Sequence, residues 1–192
     1  MNIAQKSVRF LKFKVVGVLG LALAAFQLSA RAADQPKPGP EQKKLEMFVG
    51  SWTYEGAAEA TPFWPAGKYR GKMTARMVLR GFFLESRAED KGETGYIYQN
   101  VVLRGYDAVT KTYSTRGFEN DGSGFSESMT LNGTTWTSTG TKTDNKGKVY
   151  RTRNVTTFSP DGRSFTEEGE YSADEGKTWL SSYKDTVKKV GK

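Results

Sequence analysis

From residue 68 onward the chain is cut at short, regular intervals by turn-forming residues, and this punctuation constrains the fold more than any other feature. It falls at 91–94, 107–111, 120–124, Asn132-Gly133, 144–147, 159–162 and 173–176. Between the turns the residues alternate at period two. Met73, Ala75, Met77 and Leu79 alternate with Thr74, Arg76, Val78 and Arg80, and Phe82, Leu84, Ser86 and Ala88 with Phe83, Glu85, Arg87 and Glu89. Phe125, Glu127, Met129 and Leu131 share one face, and Thr135, Thr137, Thr139, Thr141 and Thr143 share another, which leaves Trp136, Ser138 and Gly140 opposite. Short β-rich runs separated by tight turns read as an antiparallel meander of about ten strands. Such a meander must bury one face and hide two edges. Closure into an up-and-down barrel does both. A two-sheet sandwich needs long crossovers that the spacing does not provide. Asn132-Gly133 is read as a type I′ hairpin turn.

The residues before the meander divide into three parts. Residues 1–32 hold Lys6, Arg9, Lys12, Lys14 and Arg31 and no acid, so five of the eight net positive charges fall there and +3 remains for the rest. An apolar run, 15–26, and the small residues of Ala30-Arg31-Ala32 follow the charges. This is the pattern of a secretory signal peptide, too short to span a bilayer, and it implies export to the periplasm or beyond. Residues 33–40 form a Pro-rich linker. Residues 41–192 then make a single domain that begins with about two helical turns over 41–49, with Leu45, Phe48 and Val49 on one face. Gly50 ends the helix and Trp52 opens the first strand.

The chain has no His and no Cys. Thiolate and Ser-His-Asp nucleophiles, disulfides, the usual zinc ligand sets and His-ligated haem are therefore excluded, and no metal or cofactor is expected. A balance of +3 without a basic, aromatic-laced stripe gives no case for nucleic acid. Oligomeric state is not encoded in any pattern.

Several residues invite a functional reading. Trp64 lies in the loop after the first strand, where it would either lid a cavity or tuck onto the rim. Met73, Met77, Leu84, Met129, Trp136 and Tyr171 fall on inward parities and are expected to line one interior. Glu127 and Glu167 fall on the same faces as apolar residues. Buried carboxylates demand partners, their pKa rises on desolvation, and two of them could serve as general acid and base. Arg151 and Arg153 are expected to face out opposite Phe158, while Arg104 sits on a strand whose phase the sequence leaves open.

Met47-Phe48-Val49-Gly50-Ser51-Trp52-Thr53, Leu103-Arg104-Gly105-Tyr106-Asp107 followed by Lys111, and the stretch from Tyr171 to Trp179 resemble the exported bacterial family catalogued as domain of unknown function 1579. The short helix and Gly50-Ser51-Trp52 resemble the calycin superfamily of lipocalins and fatty-acid-binding proteins. The resemblance implies a lipocalin-like barrel with Gly50 and Trp52 at its floor, and supplies no activity. Calycins set an Arg from a late strand against the floor Trp; Lys184 or Lys188 would take that place here. Nitrobindins, a related branch, hold haem through a His that this chain lacks. Ser172-Ala-Asp-Glu-Gly-Lys-Thr-Trp179 is similar to the Asp-box of sialidase propellers, but it occurs once and reads as a structural turn. The expectation is a barrel binding a small apolar or amphiphilic molecule, and not an enzyme. The alternatives are a hydrolase or isomerase using Glu127 and Glu167, and a filled barrel acting through its surface.

Overall fold

A computed structural model describes residues 35–191. The expected signal peptide, 1–32, lies outside the described residues, as does the start of the linker. The barrel belongs to a compact unit that begins at Lys37.

The expected helix divides in two. α1 (Pro40–Lys44) starts on Pro40, whose missing N–H costs nothing in a first turn, and the Gln42 side chain accepts the Gly39 N–H at 2.9 Å. A 3-10 turn (Leu45–Phe48) then tightens the chain and buries Leu45 and Phe48. The tightening lets Val49 turn extended and Gly50 take φ +139°, which swings the chain into the first strand.

Ten strands follow: β1 (Gly50–Ala58), β2 (Gly67–Val78), β3 (Phe83–Gly92), β4 (Ile97–Asp107), β5 (Thr112–Glu119), β6 (Gly124–Asn132), β7 (Thr135–Thr143), β8 (Val149–Phe158), β9 (Ser164–Ser172) and β10 (Leu180–Lys189). Each pairs antiparallel with its sequence neighbour, and β10 pairs with β1, so the sheet closes. Closure leaves no free edge. Inward and outward residues alternate as the sequence implies. Arg151 and Arg153 face out, and the outward rows carry charges such as Lys72, Arg76, Arg87 and Lys188.

One end of the barrel is a dry floor. The 3-10 turn pushes Phe48 into the barrel against Trp136 (ring centroids 5.6 Å), Phe158 (5.0 Å) and Phe165 (6.1 Å). Trp52 packs edge-on against Phe165 at 5.1 Å, and its Nε1 donates to the Phe48 carbonyl at 2.8 Å. The cation against Trp52 is Lys189, with Nζ 5.1 Å from the ring. Neither Lys184 nor Lys188 supplies it, because past a bulge between Ser181 and Tyr183 the inward row is Tyr183, Asp185, Val187 and Lys189, which leaves both of those lysines outward.

Two local expectations are corrected. The β6–β7 loop is Gly133-Thr134, closed by Asn132 pairing with Thr135, and among its residues only Gly133 has positive φ (+59°). That is the pattern of a II′ turn, one residue later than the I′ turn expected. Leu79, expected inward, has left the strand: β2 ends at Val78, Leu79 and Arg80 adopt left-handed backbone, and Leu79 is exposed.

Candidate functional site

Above the floor the interior changes character. A cavity of about 220 Å³ occupies the upper half of the barrel. Phe48, Met73, Met129 and Phe165 reach its lower wall from the floor. Polar side chains from all ten strands surround the rest.

Five carboxylates point inward, and each has a hydroxyl donor. Tyr54 donates to Asp90 Oδ2 at 2.9 Å, Tyr69 donates to Asp185 Oδ1, and Tyr183 donates to Glu167 Oε1 at 2.6 Å. Three of these tyrosines reach across the sheet because their cross-strand partners are glycines: Tyr54 pairs with Gly71, Tyr69 with Gly56, and Tyr183 with Gly169. A Cβ at Gly71 would lie 2.5 Å from the Tyr54 ring, and one at Gly169 would lie 2.2 Å from the Tyr183 ring. No substituent fits there, so the glycines seat the rings.

Glu127 is held differently. Ser138 and Thr152 hydroxyls and the Asn154 amide each donate to it at 2.8 Å. Glu119 forms a buried ion pair with Lys142 at 2.5 Å and accepts from Tyr98 at 2.8 Å. Burial pulls the Lys142 ammonium below its ordinary pKa, against the pull of Glu119.

A second cation of the upper half, Arg104, lies within the charge field of Glu167 and Glu127. Its guanidinium lies 5.1 Å from the centre of the Phe48 ring, and Nη1 donates to Ser86 at 2.9 Å. Its Nε is enclosed without an acceptor, and among the described residues no carboxylate oxygen lies within salt-bridge distance. Burial pushes this guanidinium below its ordinary pKa, and the two glutamates pull it back.

The carboxylates that burial raises are Asp90, to about 6, and Asp185, to about 7. For Asp185 the nearby Glu167 and Asp90 charges add to burial, while the Tyr69 hydroxyl opposes it. The sequence reading missed both, along with Tyr54, Tyr69 and Lys142. No three of the acids converge closely enough to hold a metal ion among the described residues.

The mouth is covered by the loop between β1 and β2. Thr61 ties it into a turn, its hydroxyl accepting from the Phe63 and Trp64 N–H groups at 3.1 and 3.2 Å. Phe63 packs on Tyr150 (5.0 Å) and Tyr171 (5.8 Å). Trp64 packs on Tyr98 and Tyr183, both at 5.9 Å. The Lys142 ammonium sits beneath both loop rings, 4.6 Å from Phe63 and 4.3 Å from Trp64, as a cation–π anchor. The Trp64 Nε1 is buried without an acceptor.

The expected interior thus separates into two spaces. Trp64, Met73, Met129, Tyr171, Glu127 and Glu167 line the cavity. Leu84 and Trp136, both fully buried, and the half-buried Met77 belong to the floor cluster with Trp52. The single Asp-box stretch is a turn on the β9–β10 connection. Asp174 accepts the Thr178 N–H at 2.9 Å and is held down to about 2, chiefly by the Ser172 hydroxyl.

A plugged floor, ten meandering strands closed by β1 and β10, and a hollow upper half define a lipocalin-like barrel. The chain belongs to the family described as protein of unknown function (DUF1579), whose model matches residues 37–191. None of the curated proteins matches it. Among solved structures it is similar to Rv2717c from M. tuberculosis, at 10% identity and TM-score 0.57, over 80% of this chain and 99% of that one. It is also matched by a designed fluorescence-activating β-barrel, at 10% identity and TM-score 0.41, over 75% of this chain and 94% of that one.

Proposed function

We propose that this protein is an exported binding barrel that holds a small amphiphilic molecule in its interior. One observation carries the reading: the space of about 220 Å³ between a dry aromatic floor and an aromatic loop, with an apolar lower wall and a hydrogen-bonding upper one. Such a mix of apolar lining and a few fixed polar groups is what a ligand site requires. The volume lies below the ~300–1,000 Å³ of sites for drug-sized ligands, so the guest is compact. A barrel of about eight strands can just be filled by side chains, and the extra circumference of ten leaves this space. The leader pattern supports export, and an intact mass beginning at or near Ala33 on secreted material would be the matching result.

An acid–base enzyme has less support. Three donors saturate Glu127, which suits a fixed acceptor better than a proton carrier. Glu167 has no nucleophile beside it, only the Tyr183 and Thr156 hydroxyls as donors.

The test is binding of an environment-sensitive apolar dye to the secreted domain. Binding should shift tryptophan emission through Trp64 and weaken in Met73→Ala. Ala88→Phe, which fills the space from β3, should abolish it. Binding unchanged in both variants would place the site elsewhere, and no binding to a folded protein would leave the barrel acting through its surface.

A further inference from the structure

The interior is short of positive charge. With Glu119 paired to Lys142, four inward carboxylates remain around the cavity, Asp90, Glu127, Glu167 and Asp185, and among the described residues the one inward cation facing them there is Arg104. Buried charge is costly unless it is paired, and hydrogen bonds from neutral hydroxyls offset only part of that cost. On one side of the cavity, Asp90, Glu167 and Asp185 stand among the Tyr54, Tyr69 and Tyr183 rings, and each carboxylate already takes a tyrosine proton donor. The tyrosine hydroxyls are thereby spent, and Glu167 Oε2 also takes the Thr156 hydroxyl, while the second oxygens of Asp90 and Asp185 and the ring faces remain to be used. These acids are spread too widely to converge on a metal ion among the described residues, and aromatic faces attract organic cations.

Resting on the reading of the cavity as a binding site, we propose that its guest is a compact organic ammonium ion, with the charged nitrogen lodged between the Asp90–Asp185–Glu167 carboxylates and the three tyrosine rings. The missing cation is then supplied by the ligand. A second observation, independent of the acids, also points to a guest. Arg104 projects into the same space from β4 with its Nε enclosed and unaccepted. A hydroxyl or carboxylate on the guest would give this guanidinium the acceptor it lacks, so amino alcohols and amino acids fit better than simple amines.

Asp185 is faced by Tyr54 from β1, Tyr69 from β2, Asp90 from β3, Glu167 from β9 and Tyr183 from its own strand. Burial and the acids hold Asp185 at about 7 and Asp90 at about 6, so both lose protons as pH rises through these values. Ammonium binding should therefore strengthen from pH of about 5 to about 8, and binding should release protons.

The experiment displaces the apolar dye from the full secreted domain with four matched probes: hexylamine, hexanol, 6-aminohexanol and hexanoate. At pH of about 8, hexylamine should bind about tenfold or more tighter than hexanol, and hexanoate weakest. The 6-aminohexanol should match or exceed hexylamine. Lowering the pH to about 5 should erase most of the amine advantage. Asp185→Asn keeps an acceptor for Tyr69 and should weaken hexylamine by about tenfold, more than it weakens hexanol. Equal affinity for amine and alcohol, tighter binding of hexanoate, or an amine preference indifferent to both pH and Asp185→Asn would overturn the ammonium assignment. In each of those cases dye binding would stand, and with it the cavity reading. Failure of the dye itself would remove that reading first.

Discussion

The two halves of this barrel use the same alternating strands for opposite ends. In the lower half the inward positions are Trp52, Leu84, Trp136, Phe158, Phe165 and Val187, packed around a plug from the 3-10 turn. In the upper half they are tyrosines, acids, Asn154, Arg104 and Lys142, packed around a space. Rings below meet rings; rings above meet carboxylates. Burial below is repaid by removing apolar surface from water, at roughly 25 cal/mol per Å². Burial above strips water from charges and is repaid only by hydrogen bonds and partners. The lower half therefore supplies stability, and the upper half holds buried charge that its own hydrogen bonds offset only in part.

The contrast can be broken most severely at the floor. Trp52→Ala removes a ring packed on Phe158 and Phe165, together with the hydrogen bond to the Phe48 carbonyl. It should cost roughly 3–5 kcal/mol in urea unfolding. A loss under about 1 kcal/mol would mean that the plug is not the core.

In the upper half the sign should reverse. Asp185 is pushed from 3.8 to about 7 in the fold, so the folded state binds its proton more tightly than the unfolded chain. Its stabilising contribution is complete below about 3.8 and is lost as pH rises through about 7. Three units correspond to about 4 kcal/mol. Asp185→Asn should stabilise the ligand-free protein at pH of about 8 by up to that amount and flatten the fall in melting temperature between about pH 4 and 7. A variant that melts lower than the parent at pH of about 8 would show that the acid is a net stabiliser and that the contrast is false.

Smaller effects sharpen the picture. Gly133→Val places a β-branched residue at positive φ with open space around its Cβ, so the cost is backbone strain alone, about 1–3 kcal/mol. A wild-type melt would mean the loop takes another turn. Trp64→Ala should change stability least, by about 1 kcal/mol or less, since it loses a cation–π contact and partial burial. It should instead raise the dissociation rate of the dye in stopped-flow measurements. A large stability loss with an unchanged off-rate would make the loop part of the core.

The lower half was legible in the sequence because its contrast is strong. Trp136 between threonines, and Leu84 between Phe83 and Glu85, reveal which way a strand faces. The upper half was legible only in part. Glu127 and Glu167 were found because apolar residues share their face. Asp90 lies between Glu89 and Lys91, Asp185 between Lys184 and Thr186, and Lys142 between Thr141 and Thr143, so polarity does not alternate locally; Asp90 and Lys142 are marked as inward only by the parity carried on from Leu84, Ser86 and Ala88 and from Trp136, Ser138 and Gly140. The signal that marks the tyrosines, a glycine directly across the sheet, exists only once the register is known. On β10 the bulge after Ser181 breaks the parity only at the start of the strand; beyond it Tyr183, Asp185, Val187 and Lys189 alternate regularly inward, and the expectation of Lys184 or Lys188 rested on the calycin resemblance and not on parity.

Closure by β1 and β10 has a consequence for how the chain is made. Nine of the ten strand pairings join sequence neighbours, β1 with β2 among them, while the other edge of β1 waits for the last strand of all. Its unpaired edge stays open until then, and pairing it closes the longest loop in the molecule. The Trp52 ring, carried on that first strand, finds Phe158 and Phe165 only when β8 and β9 exist. We therefore expect the seam to form late in folding. Substitutions along it should mainly speed unfolding and leave the folding rate little changed; a seam variant that slows folding instead would reverse that order.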